Sequence, residues 1–108
     1  MSTSLAPVFD TAQLQRRTMG DSALQVELLS LFVTEAERLM RQVEEAPNAQ
    51  VRAYRLNAMT SLARNTGAVR LAQVARQLET EAAAEESDLA PLRAALSETL
   101  AYVQEAGI

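Results

Sequence analysis

Asn57, Thr60, Ser61 and Arg64 stand at i, i+3, i+4 and i+7. That spacing puts them on one face of a helix advancing about 100° per residue. Tyr54 lies one turn earlier, near the edge of the same face. A carboxamide, two hydroxyls and a guanidinium offer hydrogen-bond donors and acceptors but no base near neutral pKa, so the face suits binding better than bond-making, and from the residues alone it reads first as a solvated helix face, as most such faces are. Histidine and cysteine are absent from all 108 residues. Neither a Ser-His-Asp nor a Cys-His arrangement can be built, and no glycine-rich phosphate loop is present. The usual zinc and copper ligands are missing too, which leaves only carboxylate sites for hard cations. Glu79, Glu81, Glu85 and Glu86 form an acidic cluster. A run of this kind reads as a solvated acidic face in preference to a divalent-ion site. The chain is expected to hold no metal or cofactor and not to be an enzyme.

Those side chains need a scaffold, and composition narrows it. At 108 residues the chain is read as one domain, 1–108, with a single core. Hydrophobic residues make up 48% but aromatics only 4%, so the core must be built from Leu, Ala, Val and Met, which favours helix over sheet. A formal charge of −4 argues against nucleic acid as the main ligand. Without cysteine there is no disulfide, which suits the cytosol. No apolar run has the length of a membrane span, and Met1 to Phe9 lacks the charge and length of a signal peptide.

Caps and periodicity predict one short helix and four long ones. Asp10 caps a brief helix to about Arg17, and Met19-Gly20-Asp21-Ser22 stops it and starts the next. The second helix is expected over about Ser22 to Glu45, with Leu24, Leu28, Leu31, Phe32, Leu39 and Val43 on its core face. Val26, Leu29, Val33 and Met40 form a second apolar stripe, which calls for cover by the first helix or by a partner subunit. Pro47-Asn48 opens a third helix to about Thr66, with Gly67 as its C-cap and Leu56, Met59, Ala63 and Thr66 turned inward. A fourth, about Ala68 to Glu86, presents Leu71, Val74, Ala75, Leu78 and Ala82 on one side. Ser87 or Asp88 caps the fifth, which tolerates Pro91 in its first turn and carries Leu89, Leu92, Leu96, Leu100 and Val103. Short connections make successive long helices antiparallel. The expected fold is all-α, an up-down four-helix bundle with the short N-terminal helix as a lid.

The stretch from Asn57 to Leu71 resembles the signature of the histidine phosphotransfer (HPt) domain family. In that family a helix carries the phospho-accepting histidine, then Leu or Met two residues on, Lys, Gly, small residues, Asn, Gly and Ala. Met59, Ala63, Asn65, Gly67 and Ala68 fit the frame. The histidine position holds Asn57, the lysine position Thr60 and the glycine position Ser61. The resemblance runs from about Phe9 onward. Outside the signature it rests on helix count, spacing and Met19-Gly20-Asp21 before the second helix.

In the family the imidazole takes phosphate from a receiver-domain aspartate and later returns it, while lysine holds the phosphoryl oxygens and glycine allows close approach. A carboxamide cannot take the nucleophile's part. The resemblance therefore implies a degenerate member of a bacterial-type two-component pathway. It would dock a response-regulator receiver domain or a histidine kinase through Tyr54, Asn57, Thr60, Ser61 and Arg64 without carrying phosphate. Arg55 would flank the face, and Arg64 has the alternative of an ion pair with an adjacent helix. Two rivals stand beside this reading. One is a structural or oligomeric bundle, dimeric through Val26, Leu29, Val33 and Met40. The other is phosphotransfer by Ser61, Thr60 or Asp88, disfavoured because a serine or threonine phosphoester does not readily return its phosphate.

Overall fold

The computed structural model describes residues 6–81 and 88–106. Among them are five α-helices and no strand: α1 (Thr11–Thr18), α2 (Ser22–Glu44), α3 (Ala49–Thr66), α4 (Val69–Glu81) and α5 (Ala90–Glu105). Three helices start where local chemistry dictates. The carboxylates of Asp10 and Asp21 accept from the backbone N–H groups of Gln13 and Leu24, each at 3.1 Å, and the Asn48 side chain accepts from Val51 N–H at 2.9 Å. Each satisfies one of the donors that a helix start leaves without an intrahelical partner. The fifth helix starts differently from expectation. Leu89 occupies the N-cap without a side-chain bond, and Asp88, one residue earlier, accepts from Ala90 N–H at 2.9 Å. Ser87, Ala82 and the expected end of α4 at Glu86 lie outside the described residues.

At the end of α1 the chain turns through the left-handed region at Met19 (φ 53°) and Gly20 (φ 75°). Met19 and Gly20 N–H then reach back to the carbonyls of Arg16 and Gln15. A side chain at such a φ costs about 1–2 kcal/mol, against about 0.5–1 kcal/mol for the extra freedom glycine loses on folding. Met19 is 95% exposed and gains no packing in return. Met19→Gly is therefore expected to stabilise the fold by about 0.5 kcal/mol, read as a higher urea midpoint at unchanged slope.

Helix α3 packs against both α2 and α4, α5 against α4 and more lightly α2, and α1 against α2. Phe32, Val43, Leu56, Met59, Leu71 and Leu92 are the largest apolar side chains fully enclosed among them. The two apolar stripes of α2 do not divide as their spacing suggests. Phe32, Leu39 and Val43 are buried as expected, but Leu31 is 62% exposed and Leu24 38%. Leu29 and Met40, assigned to the outer stripe, are buried instead. With Leu29 and Met40 inside the chain's own core, the set Val26, Leu29, Val33 and Met40 is not a continuous face open to a partner. The reason is phase. Both stripes are apolar enough to be core, and the positions of α3 and α5 decide between them.

The segment before α1 is strapped across the far helices. Ala6 N–H donates to Gln73 Oε1 and the Ala6 carbonyl accepts from Arg70 Nε, both at 2.9 Å, while Arg70 also pairs with Glu98 at 2.6 Å. The Phe9 ring stacks on Tyr102 with centroids 5.0 Å apart, and the Tyr102 and Thr11 hydroxyls share a hydrogen bond of 2.8 Å. Asp10 N–H donates to the Gly67 carbonyl at 2.8 Å, so the strap also fastens the α3–α4 turn.

Candidate functional site

The outer face of α3 is where the sequence reading places function. Tyr54, Asn57, Ser61 and Arg64 are all exposed, Tyr54 to 73%. Thr60 is not part of that face. It is buried with Leu56, Met59 and Ala63, and its hydroxyl donates to the Leu56 carbonyl at 3.0 Å. Thr66, expected inside, is half-buried. The buried arc of α3 is thus turned by roughly 30° from the expected one, toward α4. A threonine tolerates this burial because its hydroxyl bonds back to the preceding turn and its methyl packs.

The face is tied to the next helix. Asn57 Nδ2 donates to Glu79 Oε1 on α4 at 3.0 Å. Glu79 Oε2 and, on α3, Arg52 Nε are buried and have no hydrogen-bond partner among the described residues. Arg64 enters no ion pair among the described residues. The Arg64 carbonyl accepts from Gln13 Nε2 at 2.9 Å, which brings α1 against the last turn of α3. Arg55 turns the other way and donates to the Gln42 carbonyl of α2 at 2.7 Å.

This arrangement presents an aromatic ring, a carboxamide, a hydroxyl and a guanidinium to solvent. Asp88 is engaged at the start of α5, where it accepts from Ala90 N–H. The face can offer hydrogen bonds and a cation to a surface. Among the described residues no group of three carboxylates is placed to hold a metal ion, while Glu85 and Glu86 of the acidic cluster lie outside them. The Asn57–Glu79 bond, which joins residues 22 apart, escaped the sequence reading because it depends on how α3 and α4 pack. A wide, open hollow at the start of α3, lined by Pro47, Asn48, Ala49, Gln50 and Arg52, also lies away from this face.

Fold and site together define an all-helical protein with an exposed polar face on its third helix. The chain matches no family model, no curated protein and no solved structure. No helix among the described residues is long and apolar enough to cross a membrane.

Proposed function

We propose that this chain is a degenerate HPt-like signalling domain of a two-component pathway. It docks a receiver domain or a histidine kinase and carries no phosphate itself. One observation carries the reading: the signature frame is kept at Met59, Ala63, Asn65, Gly67 and Ala68, while its three chemical positions hold Asn57, Thr60 and Ser61 in a chain without histidine. The exposure of Tyr54, Asn57, Ser61 and Arg64 along one helix supports docking there. Tyrosine and arginine are the types that anchor interfaces. Thr60, being buried, drops out of the contact set. On this reading α2 to α5 form an up-down antiparallel four-helix bundle with α1 as a lid, and the domain acts in the cytoplasm. Its mechanism is occupancy: it shields a receiver's aspartate, competes with a true phosphotransfer protein, or holds a kinase in one state.

An NMR titration of labelled protein with receiver domains of the same organism, unphosphorylated and beryllofluoride-activated, tests the proposal. The expected result is a set of shifts confined to Tyr54, Asn57, Ser61, Arg64 and their neighbours, abolished by Asn57→Arg. Silence with every receiver and with the kinases' cytoplasmic domains would sink it. The structural-bundle alternative keeps one observation in its favour, the exposed leucines of α2.

A further inference from the structure

Leu24, Leu28 and Leu31 recur at i, i+4 and i+7 on α2. At about 100° per residue they span roughly 60° of the helix circumference. Leu24 and Leu31 are exposed, and Leu28 is half-buried between them. Single exposed leucines are ordinary, but three aligned on one helix make a patch. Its two flanks differ in charge. On one, Leu28 shares a small hollow with Leu14, Arg17, Asn65 and Thr66. On the other, Glu27 sits one residue before Leu28, about 100° around the helix and away from that hollow. Arg17 and Glu27 are both exposed, and neither has an ion-pair partner among the described residues. At the level of Leu28 the apolar stripe is therefore bounded by an unpaired cation on one side and an unpaired anion on the other.

We propose that this face is the interface of a two-fold homodimer in which α2 packs parallel to α2 of a second copy. A helix that packs lengthwise on its own copy does so about a two-fold axis running nearly across it or nearly along it. An axis across the helix sets like flank against like flank, so Arg17 would face Arg17. An axis along the helix sets each flank against the opposite one. Arg17 of each copy then faces Glu27 of the other at the level of Leu28, and the leucine stripes close on each other between the two pairs. The face carries its own complement in both apolar surface and charge, which selects a second copy over a partner of one charge sign. Three leucines and two rim pairs make a small interface, so the dimer is a weak one. This inference does not rest on the α3 docking reading and uses none of its residues.

Sedimentation equilibrium of the whole chain from about 1 μM to about 1 mM spans the affinities of a weak complex. The expected behaviour is a monomer–dimer equilibrium that Leu31→Glu abolishes while the helical circular dichroism stays unchanged. Arg17→Glu and Glu27→Arg should each weaken the dimer about tenfold, since each sets like charges opposite one another twice. An equimolar mixture of those two variants should regain wild-type association, because their heterodimer restores both pairs, one in the native sense and one with the signs exchanged. A monomer at the highest concentration, a dimer indifferent to Leu31→Glu, or a mixture as weak as its components would each overturn the proposal.

Discussion

Thr60→Asp should destabilise the fold by about 3–5 kcal/mol at neutral pH, the range for an uncompensated charge left in a protein interior. Thr60 is 3% exposed, and its inward neighbours on α3 are Leu56, Met59 and Ala63. The nearest turn of the same helix carries Asn57, whose partner is the Glu79 carboxylate, so a second carboxylate meets repulsion as well as desolvation. The sign of the pH dependence follows. Both effects raise the folded-state pKa of the introduced group above its unfolded value of about 3.9. The variant is then least impaired below that pH and loses stability as the pH rises through the window above it. Urea unfolding at acid and neutral pH reads this directly as a midpoint that separates from wild type only on the neutral side. Two companions locate the cause. Thr60→Val, which keeps the methyl and loses only a hydroxyl bonded to its own helix, should stay within about 1 kcal/mol. Ser61→Asp, one residue on but exposed, should cost about 0.5 kcal/mol. If Thr60→Asp were as mild as Ser61→Asp, α3 would be rotated back toward the phase its polar spacing suggested.

That contrast marks what could be read from the chain alone. Helix starts and stops were legible because capping is local: Asp10, Asp21 and Asn48 each bond a backbone N–H three residues on, and Gly67 stands where only a positive φ ends α3. Helix phase was less legible because it is a property of neighbours. On α2 the candidates Leu24 and Leu31 lost to Leu29 and Met40, all of them apolar enough to be core. On α3, small residues at Ala53, Ala58 and Ala63 blur the border between inside and outside, and Thr60 crossed it. The polar site suffered the same fate in part. Tyr54, Asn57, Ser61 and Arg64 share the exposed side as their spacing implied, but the tether from Asn57 to Glu79 needed the packing of α3 on α4. The strap from Ala6 to Thr11 was invisible for a stronger reason. Its partners Gln73, Arg70 and Tyr102 are 64 to 91 residues away and show no pattern in common.

Gly67→Val is the second large effect, about 4 kcal/mol, and it shows how that strap and the α3 turn depend on each other. Gly67 has φ 109° and ψ 8°, a conformation closed to β-branched residues without strain. A Cβ there would sit 3.1 Å from the Asp10 carbonyl oxygen and 3.3 Å from Cε1 of Phe9. Neither neighbour can simply give way. Asp10 N–H is bonded to the Gly67 carbonyl and its carboxylate caps α1, while the Phe9 ring is stacked on Tyr102 of α5. Backbone strain of about 1–3 kcal/mol is therefore joined by overpacking of a similar size. Gly20 separates the two contributions. Its φ of 75° is also positive, but a Cβ there would meet only Gln15 Oε1, at 3.8 Å. Gly20→Ala should cost about 1 kcal/mol of strain alone, whereas Gly67→Ala should cost about 2–3 kcal/mol, and valine more than either. For a chain of this size 1 kcal/mol moves Tm by about 4–8 °C, so the three variants should melt in well-separated steps. Equal losses at Gly20 and Gly67 would mean that the strap yields freely. The stacked pair of Phe9 and Tyr102 would then play no part in holding the α3–α4 turn, and with it the helix that carries the polar face.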